Sequence, residues 1–117
     1  MNVIETRVDT RSEEYRKNYE AMEALVEDLH SELKKARSDR PPKDIERVRS
    51  QGKLLVRDKL DLLLDRDTPF LEIAPLAARG MYDGKVHGAG LVAGIGVGSG
   101  REVLVVASDP TIKGGAV

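Results

Sequence analysis

Apolar residues at Tyr15, Tyr19, Met22, Val26, Leu29, Leu33 and Ala36 are spaced four, three, four, three, four and three apart in a stretch otherwise rich in charge. That rhythm is a heptad seam of about three heptads and predicts one long helix over 10–38. Thr10 with Glu13 makes a capping box, and Ser12 competes as N-cap. Glu13 and Glu14 suit the positive end of the helix, and Lys34, Lys35 and Arg37 the negative end. Pro41 and Pro42 stop it. With charged faces around one narrow stripe, the helix packs its stripe either on the rest of its own protein or on another subunit.

A second helix is predicted over 43–51, with Pro42 at its first turn and Gly52 just past its end. A third is expected over 56–64. Its apolar set is Leu60, Leu63 and Leu64, and "DRDTP" after it reads as a turn.

The pattern then changes period. Ten of the eleven glycines lie at Gly80 or later, six of them between Gly88 and Gly100. "GAGLVA" matches G-x-G-x-x-A, but the helix that a dinucleotide fingerprint needs next would contain Gly94, Gly96, Gly98 and Gly100. Each would cost about 0.5–1 kcal/mol relative to Ala, so no helix forms there. A period of two fits better. His87, Ala89, Leu91, Ala93, Ile95 and Val97 make one packed apolar face. Val86, Gly88, Gly90, Val92, Gly94 and Gly96 make a nearly bare one, open to close approach by another segment. "GSG" at 98–100 is a turn, and 102–108 a second strand whose run Val103–Ala107 is apolar enough for both faces to be covered. After it comes "SDPTIKGG". Lys113 with the amides of Gly114 and Gly115 could form an anion nest at a strand end; the plain alternative is a surface turn with a solvated Lys.

Composition narrows the function. Charged residues are 33% of the 117, yet the net charge is −1, which disfavours a nucleic-acid or anionic-membrane binder. Aromatics at 3% leave little for base stacking. No Cys is present, so disulfides, thiolate nucleophiles and Cys-based zinc sites are excluded. The two histidines, His30 and His87, have no ligand-spaced partners. We read His30 as a solvated surface residue and His87 as structural, and expect no metal site. No run of about 18 apolar residues exists to cross a membrane. The acidic, weakly apolar start "MNVIETRVDTR" leads to the expectation of a soluble, cytoplasmic protein, without a mitochondrial address. The sequence stops just after an apolar run, and we expect an N-terminal segment of something larger.

"GKLLVRDKLDLLLD", "TPFLEI" and "HGAGLVAGIGVGSGREVLVVASDPTIKGG" together resemble, in order, the start of the carboxyltransferase (β) subunit of biotin-dependent acyl-CoA carboxylases. The resemblance covers 52–117 and more loosely the charged helix before it. "GMY" at 80–82 and the Lys of "IKGG" are similar to the methylcrotonoyl- and geranyl-CoA type. Ser108 departs from the Asn usual in the family, and Pro110 follows Asp109.

The resemblance implies an α/β, crotonase-like fold of the ClpP/crotonase superfamily, here a helical arm over 1–67 and the start of the acyl-CoA carboxyltransferase domain over 68–117. It implies transfer of a carboxyl group from carboxybiotin to an acyl-CoA of the methylcrotonoyl kind, with propionyl-CoA or geranyl-CoA as alternatives. It implies biotin on a partner, the biotin carboxylase/biotin carrier α subunit, and a homo-oligomer of β subunits. The family stabilises the thioester oxyanion with glycine amides that lie downstream of this segment. Catalytic residues are therefore expected to be absent here, the segment is expected to be inactive alone, and Lys113, Gly114 and Gly115 are the candidate acyl-CoA contacts. The rival reading is a non-catalytic interaction module that docks through the 10–38 helix.

Overall fold

A computed structural model describes residues 1–116. The chain divides into two compact units, Met1–Glu32 and Leu33–Val117. In chain order the elements are helices α1 (Glu13–Ser38), α2 (Pro42–Ser50) and α3 (Val56–Leu63), then strands β1 (Leu71–Ile73), β2 (Leu91–Gly98) and β3 (Arg101–Ser108). Short 3-10 turns occupy Met81–Gly84, His87–Gly90 and Lys113–Gly115.

Unit one is the start of the chain and most of α1. Ser12, not Thr10, caps the helix: its Oγ accepts the Tyr15 N–H at 3.1 Å. The acidic first turn is as expected, and Glu13 pairs with Arg16 one turn on. The seam residues Tyr19, Met22, Val26 and Leu29 are all exposed, with Met22 at 59%.

Unit two carries the sheet. Pro42 opens α2, and the backbone N–H of Gly52, at φ 70°, returns to the Arg49 carbonyl at 2.9 Å. This left-handed residue beyond the last turn is the position for which glycine is favoured. On α3, Val56 and Leu60 are buried and pack with Val92 of β2, flanked by Phe70, Val105 and Ala107. Leu63, expected to face inward, is exposed instead, and Val56 at the start of α3 takes the core position beside Leu60.

The sheet is antiparallel in the order β1-β2-β3. β2 and β3 form the expected hairpin. Ser99 (φ 51°) and Gly100 (φ 75°) are both left-handed, as a two-residue primed turn requires. Asp65 holds that turn, its two carboxylate oxygens accepting the Ser99 and Gly100 N–H groups at 2.8 Å each. β1 was not anticipated. Three residues are too few to show a period, and its pairing with Ala93–Ile95 is a tertiary choice.

Three expectations change. The strand does not reach back to Val86; His87–Gly90 is a tight turn with Gly88 and Ala89 left-handed, which breaks any alternation there. The packed face of β2 is the glycine face, with Val92, Gly94 and Gly96 all buried, while Ile95 on the other face is 41% exposed. β3 is not covered on both sides, because Leu104 and Val106 are exposed. Leu71, Ile95 and Leu104 stand in register across the sheet, so its outer face is apolar and open.

The glycine face is covered closely. A Cβ on Gly94 would lie 2.5 Å from the Phe70 ring and 2.6 Å from the Leu71 carbonyl oxygen. One on Gly96 would lie 2.8 Å from a Leu64 methyl. Backbone cannot yield as a Leu rotamer can. Gly94→Val should therefore destabilise near the top of the ~1–3 kcal/mol usual for overpacking, and Gly96→Val less. Urea unfolding of the single variants measures both. On an open face Val would instead stabilise through its strand preference, so a stabilised Gly94→Val would refute the close packing.

Candidate functional site

β3 delivers the chain into "SDPTIKGG", which is not a plain surface turn. Asp109, Thr111 and Ile112 are 3%, 6% and 3% exposed, while Lys113 and Gly114 are exposed. The Asp109 N–H donates to the Gly90 carbonyl at 2.9 Å, tying the loop to the turn before β2. Asp109 Oδ1 accepts both the N–H and the hydroxyl of Thr111. Its Oδ2 accepts Arg40 Nε at 3.1 Å and Nη2 at 3.0 Å. Arg47 Nη2 reaches the Pro110 carbonyl at 3.1 Å. The strand exit is thus gripped by two arginines of the helical region.

Lys113 lies in the left-handed region at φ 46°, and its Nζ sits 3.9 Å from the centroid of the Tyr82 ring. Tyr82 is itself left-handed, at φ 50°. Backbone of this kind is costly outside glycine and persists only where surrounding structure enforces it. Of the two glycine amides, that of Gly115 is committed, donating to the Ile112 carbonyl at 2.8 Å. Gly115 at φ 86° shapes the turn, and Gly114 is the exposed member.

A cleft of about 690 Å³ opens beside this turn. Its walls come from three separate stretches: Asp39 to Arg47 around the start of α2, Tyr82 to His87, and Thr111 to Lys113. Lys43, Lys85 and Lys113 line it, together with Arg40 and Arg47. Against these five cations stand the carboxylates of Asp39, Asp44 and Asp83. Arg47 is partly neutralised by Asp44 at 2.9 Å and Arg40 by Asp109. His87 Nε2 is 3.6 Å from Asp39 Oδ2, a partner absent from its neighbourhood in sequence. His30 is exposed on α1.

The arrangement suits binding of an anion. A cleft with a surplus of cations concentrates anionic ligand, and ammonium groups are effective phosphate partners. Lys113 was legible in the sequence, next to its glycine pair. Lys43, Tyr82 and Lys85 were not, because no spacing rule connects 43, 82–85 and 113; only the folded chain brings them together.

The Lys113–Tyr82 contact generates a direct expectation. An exposed cation–π contact is worth about 0.5–1 kcal/mol. Tyr82→Leu should therefore raise the rate of Lys113 acetylation about two- to fivefold relative to Lys17 on exposed α1. Peptide mass spectrometry after brief acetic anhydride treatment reads the ratio. An unchanged ratio would mean the ring does not hold the ammonium.

Comparison with known proteins places this geometry in context. Residues 47–117 match the carboxyl transferase domain family. The chain is 43% identical over 116 residues to a probable methylcrotonoyl-CoA carboxylase beta chain, mitochondrial, of Drosophila melanogaster, covering 98% of this chain and 20% of that protein. It is 48% identical over 91 residues to a biotin-dependent 3-methylcrotonyl-coenzyme A carboxylase beta1 subunit of Mycobacterium tuberculosis, covering 78% of this chain and 17% of that one. Among solved structures, the beta subunit of geranyl-CoA carboxylase from P. aeruginosa superposes with a TM-score of 0.83 at 35% identity, over 99% of this chain and 22% of that one. The chain spans about a fifth of the length of these relatives.

Proposed function

Because the chain belongs to the carboxyl transferase domain family, with an α/β, crotonase-like fold, we propose that it is the N-terminal part of a β subunit that carboxylates an acyl-CoA. In this reading it contributes substrate binding. The observation that carries the proposal is the cationic cleft at the exit of β3, with Lys113 on its rim. CoA bears phosphates, and Lys113, Gly114 and Gly115 form the turn that meets them. Lys113 supplies charge, Gly114 an exposed backbone, and Gly115 the turn geometry. A branched enoyl-CoA of the methylcrotonoyl kind is the substrate we favour, on the strength of the relatives' names; propionyl-CoA and geranyl-CoA are the alternatives.

Biotin carried by a partner α subunit would supply the carboxyl group. None of residues 1–116 is assigned to that biotin, and no chemical step is assigned to this segment. Residues 1–67 are the helical region, whose α3 packs on the sheet, and 68–117 the start of the catalytic domain, which we expect to be inactive by itself. The open apolar face of the sheet, with Leu71, Ile95 and Leu104 in register, supports this reading, because such a face belongs against another layer.

The test is Lys113→Ala in the intact subunit assembled with its biotin-carrying partner. Loss of an exposed charge-assisted contact worth about 1.4 kcal/mol corresponds to tenfold. KM for acyl-CoA should rise about tenfold while kcat stays nearly unchanged, the pattern of uniform binding. An unchanged KM, or a collapse of kcat alone, would overturn the assignment.

A second reading rests on the exposed seam of α1. Tyr19, Met22, Val26 and Leu29 are apolar, aligned and solvent-facing, which supports an arm that docks on another subunit, in a homo-oligomer or with a different partner. Met22→Asp, Val26→Asp and Leu29→Asp in combination should then reduce assembly, read by analytical ultracentrifugation, with little change in melting temperature. Normal assembly with a much lower melting temperature would assign the seam to the subunit's own core.

A further inference from the structure

Arg40 sits two residues beyond the end of α1, and its side chain is 10% exposed. Its guanidinium makes four hydrogen bonds. Nη1 donates to the Asp39 carbonyl at 2.9 Å, Nη2 to the Ala36 carbonyl at 2.9 Å, and Nε and Nη2 both to Asp109 Oδ2. Asp109 is 69 residues away in sequence and its side chain is 4% exposed. A buried ion pair of this kind contributes little net stability, since desolvation offsets the attraction. Its effect is geometric. The planar fork fixes Asp109, whose other oxygen fixes Thr111 through two hydrogen bonds. Thr111 leads within two residues to Lys113, which stands left-handed with its ammonium on Tyr82.

We infer that Arg40 is a positioning residue: through Asp109 and Thr111 it holds the turn that presents Lys113 to the acyl-CoA. The inference rests on the proposed binding role of Lys113 and names the residue that sets that role. Lys in place of Arg would keep the charge but not the fork. A single ammonium cannot satisfy Ala36, Asp39 and Asp109 in one plane, so Arg40→Lys should loosen the turn without removing a cation.

The experiment uses the intact subunit with its biotin-carrying partner. Arg40→Lys should raise KM for acyl-CoA about fivefold and leave kcat within about twofold. Amide hydrogen exchange should accelerate at 111–116 and stay unchanged in β2. The double variant Arg40→Lys/Lys113→Ala should have the KM of Lys113→Ala alone, because Arg40 acts through Lys113. A lower melting temperature with unchanged KM would make Arg40 merely structural and overturn the inference, as would additive effects in the double variant. Should Arg40→Lys fail to fold, Asp109→Asn breaks the same ion pair while keeping an acceptor for Thr111, and the same outcomes decide. If Lys113→Ala alone leaves KM unchanged, the acyl-CoA role of Lys113 falls. Exchange at 111–116 then decides separately whether Arg40 holds the turn: accelerated exchange sustains the positioning, and unaltered exchange overturns it.

Discussion

The close approach of Phe70 and Leu64 to the glycine face of β2 is the constraint on which the sheet depends. Residues 94 and 96 have no side chain, so the Phe70 ring and the Leu64 methyls occupy the space a Cβ would take. With Phe70 laid over the strand, Leu71–Ile73 can pair with Ala93–Ile95 and add a third strand. The same approach lets α3 place Val56 and Leu60 against Val92. A bulkier residue at 94 would meet the Leu71 carbonyl as well as a ring, and only backbone movement could relieve it. Gly94 and Gly96, which argued against a phosphate loop, are packing residues.

Two arginine clamps within unit two then hold Arg40 and Arg57 on the edges of that sheet. Arg57 of α3 grips Glu72 of β1 with Nη1 and Nη2 at 3.1 and 2.8 Å, leaving its buried Nε without an acceptor. Arg40 grips Asp109 at the exit of β3. Planar forks on carboxylates shielded from solvent specify position more than they add stability. The Arg40 clamp cannot slide by one residue without stranding the buried Asp109 charge. The two clamps turn a small three-stranded sheet into a platform with defined loops at its edges.

The helices were legible in the sequence because each carried its own signals: the seam of α1, Pro42 and Gly52 around α2, and the apolar residues of α3. The hairpin was legible because a two-residue turn lies between two apolar strands. The sense of burial on β2 was legible only in part. The bare glycine face read as open to close approach, and Phe70 and Leu64 make that approach; the face of Leu, Ala, Ile and Val read as packed, yet Ile95 on it is exposed. The last clues, Asp109 and Lys113, lay in one short stretch. Their partners Arg40 and Tyr82 lie 69 and 31 positions upstream of them, and no local rule reaches that far.

The geometry at Lys113 also decides what kind of work this segment can do. Stabilising a developing oxyanion needs N–H groups aimed, free of other partners, at the place where charge appears. The Gly115 N–H is spent on the Ile112 carbonyl, so Gly114 and Gly115 cannot act together as two free donors to such a charge. A cation on an aromatic face, in a cleft that Lys43 and Lys85 also line, can still attract and hold a phosphate, whose charge is the same before and after reaction. Such an interaction is equal in ground and transition states and lowers KM without accelerating chemistry. In the proposed reading the segment holds the phosphate handle of its substrate, and the reacting end is left to other residues.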